Sequence, residues 1–171
     1  VNLCIGEPDF PTAQPMLDAA IKSLQSGRFP YTPSLGIPEL RSAISTFYWD
    51  RYQVNIAPER IAVTAGASAA LLLTMGVLIS PGDEVLLTDP GYPCNRQFVR
   101  ALEGRAVDLP VDAASHSQLT ASMIEQAWSA RSTAVLLASP ANPTGTIVPP
   151  AALRAIHAAV RARGGALLVD E

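Results

Sequence analysis

The chain has 171 residues, 49% of them hydrophobic and 16% charged, with a formal net charge of −3. That is enough apolar material to bury a core in one domain or in part of a larger one, and the weak negative balance argues against nucleic acid or an anionic membrane as partner. The longest apolar stretch, residues 65–79, is interrupted by Gly66, Ser68, Thr74 and Gly76; it is too short to span a bilayer and is expected to form a buried helix.

Cys4 and Cys94 offer neither a metal-ligand spacing nor a disulfide framework. No metal site is expected, and the expected location is cytoplasmic. Residues 1–5 read as an interior strand without initiator methionine or signal peptide, so the sequence is expected to be cut at both ends. The turn-rich segment Gly6-Glu7-Pro8-Asp9-Phe10-Pro11 follows. Its glycine would let backbone approach a small ligand closely, although on its own the segment is also a plain exit turn.

Residues 14–26 predict an amphipathic helix with Met16, Leu17, Ala20, Ile21 and Leu24 on one face and Asp18, Lys22 and Gln25 on the other. Lys22 is the only lysine in the chain, four residues after Asp18, which suits an exposed ion pair. A lysine that forms a Schiff base needs a desolvated site that depresses its pKa, which Lys22 lacks. After Tyr31-Thr32-Pro33-Ser34-Leu35-Gly36, Pro38 fits the first turn of a second helix, with Leu40, Ala43, Ile44, Phe47 and Tyr48 as its buried stripe. Taken alone, Tyr31 is an ordinary loop aromatic.

Residues 61–64 predict a strand that turns through Ala65-Gly66-Ala67-Ser68 into the apolar helix. Free N–H groups at such a helix start, beside the positive end of the dipole, make a phosphate site, with Ser68 adding a hydroxyl; the plain alternative is a strand–helix junction capped by serine. Pro81-Gly82-Asp83 turns into a strand over 84–88, which ends at Asp89-Pro90-Gly91-Tyr92-Pro93. A helix burying Phe98, Val99 and Leu102 stops at Gly104, and residues 105–109 predict the next strand. Residues 111–118 read as a polar, solvated link containing His116, before a helix that buries Met123, Ile124 and Trp128.

The last unit is a strand over 134–138, a helix over 149–163 with Leu153, Ile156 and Val160 on one face, a Gly164-Gly165 stop, and a strand over 166–169. His157, flanking that face, is expected to pack rather than do chemistry. Such a strand–helix–strand unit is parallel and right-handed, and ligands gather at the carboxyl edge of such sheets. Asn142 and Asp170, both just past strand ends, are therefore expected in one site. Five strands alternating with helices argue a doubly wound α/β layer.

Ser139-Pro140-Ala141-Asn142-Pro143-Thr144-Gly145, followed by Val169-Asp170-Glu171, resembles the class I/II aminotransferases, pyridoxal-phosphate enzymes of the aspartate aminotransferase fold (fold type I). The resemblance covers essentially the whole chain. It implies a three-layer, mostly parallel sheet of the large pyridoxal-phosphate-binding domain, incomplete in this chain. Residues 1–35 would contribute to the small domain and the dimer interface, and residues 36–171 to the N-terminal part of the large domain. It implies pyridoxal 5'-phosphate as cofactor and transfer of an amino group from an α-amino acid to a 2-oxo acid by a homodimer. Gly66, Ala67 and Ser68 take the place of the family's phosphate turn, and Tyr92 that of the aromatic stacked on the pyridine ring. Asn142 would donate to the ring's phenolic oxygen, and Asp170 would face the pyridine nitrogen. Tyr31 would reach the phosphate of the neighbouring subunit's cofactor, and Gly6 would line the substrate side.

Ala141 departs from the second asparagine that many members carry. The family's Schiff-base lysine and its substrate-clamping arginine would lie beyond Glu171, so the 171-residue chain alone is expected to be inactive. It is also expected not to fold as a stable monomer, because in that fold the strand at 61–64 pairs with none of the other four and the strand at 166–169 would be an open apolar edge. Two other readings remain open at this point: a β-lyase acting on sulfur amino acids, and the effector-sensing part of a transcription regulator. A nucleotide-binding α/β domain is disfavoured, since the first strand's turn carries neither Gly-x-Gly-x-x-Gly nor Gly-Lys-Ser/Thr.

Overall fold

A computed structural model describes residue 6 and residues 9–171; the strand expected over residues 1–5 lies outside them. The chain divides into two compact units, with the boundary between Ala62 and Val63.

The first unit holds helix α1 (Gln14–Gln25), helix α2 (Pro38–Tyr52) and a short 3-10 turn, Pro58–Arg60. Proline stands in the first turn of each of the three, where its missing N–H costs nothing. Helix α2 ends at Gln53, which takes the left-handed conformation (φ 55°) while its side chain donates to the Trp49 carbonyl at 2.8 Å. Arg41 Nε donates to the Pro58 carbonyl at 2.9 Å and Ser45 Oγ to that of Ile56 at 2.6 Å, tying the segment after α2 back onto the helix. Phe47 meets Tyr48 and Tyr52 edge-on and the two tyrosines are tilted at 52°, with centroids 5.8–6.0 Å apart.

Two expectations fail in this unit. Neither helix buries a residue: in the stripe of Leu40, Ala43, Ile44, Phe47 and Tyr48, Leu40 and Phe47 are 42% and 54% exposed and Ala43 is exposed, while Ile44 and Tyr48 are partly buried. Asp18 is engaged by Gln14 Nε2 at 2.7 Å, and no Asp18–Lys22 ion pair occurs among the described residues. One turn upstream, the neutral amide takes the acceptor without having to order a long lysine chain.

The second unit contains helix α3 (Ala67–Leu78), strand β1 (Glu84–Asp89), helix α4 (Pro93–Ala101), strand β2 (Arg105–Pro110), helix α5 (Ala121–Ala127), strand β3 (Ser132–Ala138), helix α6 (Pro150–Arg161) and strand β4 (Ala166–Asp170). The four strands form one sheet in the order β2-β1-β3-β4, with every neighbouring pair parallel. Alternation of side chains sends Leu86, Val135 and Leu137 to one face, against Ile124 of α5 and Ile156 and Val160 of α6. Val85, Leu87, Ala134 and Leu136 go to the other, against Met75 of α3 and Val99 of α4. This is the expected three-layer α/β arrangement, helices on both faces of a parallel sheet.

Among the described residues, 61–64 join no sheet, although Ile61 has extended backbone, and four strands form there instead of the five expected. Helix α3 is less buried than its composition suggests: Met75 is its one buried residue, while Leu73 and Val77 are 63% and 85% exposed. Its apolar residues run all round the helix, and only one stripe can face the sheet. Trp128 sits just past α5 as its C-cap and is half-buried against the core, not inside the helix. His157 is exposed, as its place beside the packed stripe of α6 leaves it facing solvent.

Candidate functional site

Parallel pairing brings the carboxyl ends of β1, β3 and β4 to one edge, with Ala138 of β3 in register with Asp170 of β4. The strand order reverses between β1 and β3, since β1 is flanked by β2 on one side and β3 on the other. Such a switch point leaves a crevice where the two exit loops part.

An open cleft of about 330 Å³ occupies this edge, lined by Gly66, Ala67, Ser68, Tyr92, Asn142 and Asp170, with Ala65 and Leu71 completing it. Six of the residues named from the sequence are thus brought together from four separate segments. Tyr31 and Gly6 belong to the first unit; both are exposed.

Each segment is set by local chemistry. Gly66 precedes α3 with φ 84° and ψ 168°, a backbone region that side chains rarely enter, and no side chain caps the helix start. The Gly66 carbonyl accepts from Thr64 Oγ1 at 2.9 Å and from Ala70 N–H at 3.3 Å, the first bond of the helix, and with no side-chain cap the first-turn N–H groups are left without a side-chain acceptor at the positive end of the dipole. Tyr92 follows Gly91, whose backbone lies so close to Thr88 that a Cβ would meet the Thr88 carbonyl oxygen at 2.5 Å. That close approach aims the exit of β1 at the cleft.

Asn142 rides on a tight loop in which Ala141 N–H donates to the Thr146 carbonyl at 2.8 Å and Gly145 N–H to that of Ala141 at 2.7 Å. Ser139 anchors both sides of this loop: its N–H donates to the Asp170 carbonyl at 2.9 Å and its Oγ accepts from Val148 N–H at 3.0 Å. The loop after β3 and the end of β4 are therefore coupled through backbone.

Gln118 is the residue that sequence reasoning missed. Assigned to a solvated link, it is instead 3% exposed, and its Nε2 donates to the Thr146 carbonyl at 2.9 Å, Thr146 Oγ1 at 3.1 Å and the Ala138 carbonyl at 3.3 Å. It braces the Asn142 loop from behind. The neighbouring Leu119, buried in the core, was the available signal, because it draws the preceding residue inward. His116, in the same link, is exposed as expected.

The cleft lining combines hydrogen-bond donors, the α3 start and Ser68, with one carboxylate, Asp170. The Tyr92 phenol is pushed above its ordinary value, chiefly by the neighbouring Cys94 thiol, with Asp170 adding to the effect and Ser68 pulling the other way. Tyr92 therefore stays a neutral ring at physiological pH. Among the described residues no cluster of His, Cys, Asp and Glu could hold a metal ion, and no helix is long and apolar enough to cross a membrane.

A doubly wound α/β protein with its cleft at the carboxyl edge is the class that fold and geometry define. More narrowly, the chain belongs to the aminotransferase class I and II family, which matches residues 1–171. It is 37% identical over its whole length to the valine–pyruvate aminotransferase of Mycobacterium tuberculosis, covering 44% of that protein. It is 40% identical over 86% of its length to the (5-formylfuran-3-yl)methyl phosphate transaminase of Methanocaldococcus jannaschii, covering 38% of it. Among solved structures, a tetra mutant of Thermus thermophilus aspartate aminotransferase superposes with a TM-score of 0.94 at 31% identity, over 99% of this chain and 47% of that one. The chain thus spans less than half the length of these relatives. Their names as aminotransferases and transaminases do not favour the β-lyase or regulator readings.

Proposed function

We propose that this chain forms the cofactor-binding side of a pyridoxal-phosphate-dependent aminotransferase that moves an amino group from an α-amino acid to a 2-oxo acid. The observation that carries the reading is the convergence of Gly66, Ala67, Ser68, Tyr92, Asn142 and Asp170 on one cleft. The donor set suits the group: uncapped N–H groups and a hydroxyl for a phosphate, an aromatic face for a ring, an amide for a phenolate and a carboxylate for a ring nitrogen.

When bound, pyridoxal phosphate supplies an electron sink for the charge that develops at the substrate's α-carbon. The chain's own part is to bind, orient and hold protons. The N–H groups of the α3 start and Ser68 would hold the phosphate. Tyr92 would stack on the ring, fixing its tilt with about 1 kcal/mol of offset-stacking energy. Asn142 would donate to the phenolic oxygen. Asp170 would keep the proton on the pyridine nitrogen, since a neighbouring negative charge favours the cationic form. Lys22, the only lysine here, is exposed on α1 and unsuited to covalent chemistry, so the 171-residue chain by itself is expected to be inactive.

The same reading makes residues 1–35 a contributor to the small domain and dimer interface of a cytoplasmic homodimer, with residues 36–171 in the large domain. It sends Tyr31 to the neighbouring subunit's phosphate and Gly6 to the substrate side. Titration of the full-length protein with pyridoxal phosphate, followed by its visible absorbance, tests the reading together with amino transfer from a panel of amino acids to 2-oxo acids. Saturable binding and transfer are expected; neither occurring would overturn it. Borohydride reduction of the 171-residue chain mixed with cofactor is expected to leave Lys22 without a stoichiometric adduct by mass spectrometry.

A further inference from the structure

Adjoining the cleft is a second, smaller space of about 10 Å³, the room that one water needs. Its walls come from β1, β3 and the first turn of α4, and Tyr92 and Asn142 line both this chamber and the cleft. Those two side chains are the partition between them.

Two residues of the chamber wall, Asn95 and Arg96, each carry a buried polar atom without a hydrogen-bond partner: Asn95 Oδ1 and Arg96 Nε. Consecutive helical residues do not face each other, so the two cannot satisfy one another directly. Arg96 is not free to turn away either. Its Nη2 lies 3.4 Å from Asp89 Oδ1 and 3.5 Å from Asp108 Oδ1, an atom that is itself buried without a hydrogen-bond partner. One orphan is an acceptor and the other a donor, and buried polar groups in folded proteins find partners. A water placed between them would accept from Arg96 Nε and donate to Asn95 Oδ1.

We propose that Asn95 and Arg96 hold one buried water in this chamber, and that through it Asn95 is a positioning residue for the wall formed by Tyr92 and Asn142. The positioning half rests on the pyridoxal phosphate reading of the cleft; the water half does not. A high-resolution crystal structure of the full-length protein, with and without cofactor, is expected to show one ordered water within hydrogen-bond distance of both atoms. A dry chamber, or side chains turned to pair with other protein groups, overturns the proposal.

Asn95→Leu removes the acceptor and fills the space. It is expected to expel the water and weaken pyridoxal phosphate binding about tenfold, with a thermal melt of the cofactor-free protein close to wild type. Asn95→Asp keeps an acceptor and is expected to bind within about threefold of wild type. Equal affinities for the leucine variant and wild type overturn the positioning role; should the leucine variant not fold, an aspartate variant that loses the water yet keeps wild-type affinity does the same. A wild-type protein that holds the water yet binds no pyridoxal phosphate overturns the reading of the cleft and leaves the water site standing.

Discussion

The two ends of the sheet solve the problem of buried polarity in opposite ways. At the amino end, Glu84 opens β1 with 4% exposure, and its carboxylate is fully engaged. Ser129 Oγ donates to Oε2 at 2.6 Å, while Arg105 Nη1 and Arg131 Nη2 reach Oε1 at 3.1 and 3.2 Å. The cluster ties the first residues of β1 and β2 to the turn that leads into β3. At the carboxyl end, the helix start of α3 lacks a side-chain cap, and Asn95 and Arg96 keep orphaned atoms. A charge out of water is tolerated only when neighbours replace its hydration, so the satisfied end is where stability is stored. The unsatisfied end keeps hydrogen-bonding groups for which the described residues supply no partner.

Substitutions at the two ends should therefore separate activity from stability. The largest effect is expected from Asp170→Ala in the full-length protein: single-turnover transamination falls by more than about a hundredfold, because the ring nitrogen loses the charge that keeps it protonated. A variant within about tenfold of wild type would sink the assignment of Asp170. At the other end, Glu84→Ala is expected to lower unfolding stability by about 1–3 kcal/mol in urea melts, with little change in cofactor affinity. A loss of affinity as large as that of stability would erase the distinction between the ends.

Gly66→Ala forces a side chain into a glycine-only conformation although nothing lies within 4 Å of its Cβ. The strain is about 1–3 kcal/mol, and relief by shifting the turn is expected to weaken pyridoxal phosphate binding about tenfold. The smallest effect is in the pH dependence. The Ser129 hydroxyl, helped by Arg131 and Arg105 and opposed by burial, holds the Glu84 carboxyl below its ordinary value of 4.5. Its contribution to stability is thus fully present above that ordinary value and is lost as pH falls through the lower, folded-state value. Urea midpoints of wild type and Glu84→Gln measured downward from pH 7 should converge only below about pH 4.5.

How much of this was legible depended on whether a residue's fate is decided locally. The four paired strands announced themselves through short apolar runs such as residues 134–138, bounded by turn formers, and the observed bounds differ by a residue or two. Parallel pairing then carried Asn142 and Asp170 to one edge without further information. Residues 61–64 have the same composition as a strand, yet a strand exists only with a partner, and a partner is a property of the whole sheet. Periodicity located the apolar stripe of α2 correctly but could not say what, if anything, covers it. Glu84 and Gln118 were invisible for a related reason: both are polar, and their burial follows from partners 20 to 48 positions away.

The cleft draws on chain positions about a hundred residues apart, Gly66 and Asp170. At synthesis rates of about 5–20 residues per second, roughly 5–20 seconds separate the appearance of the phosphate turn from that of the carboxylate. On the proposed reading, a nascent chain in that interval offers the turn at Gly66 without the carboxylate that would face the ring nitrogen. Ribosome-bound chains halted before β4 emerges should, on the same reading, bind pyridoxal phosphate more weakly than the full-length protein, since the Asp170 carboxylate is missing from the cleft.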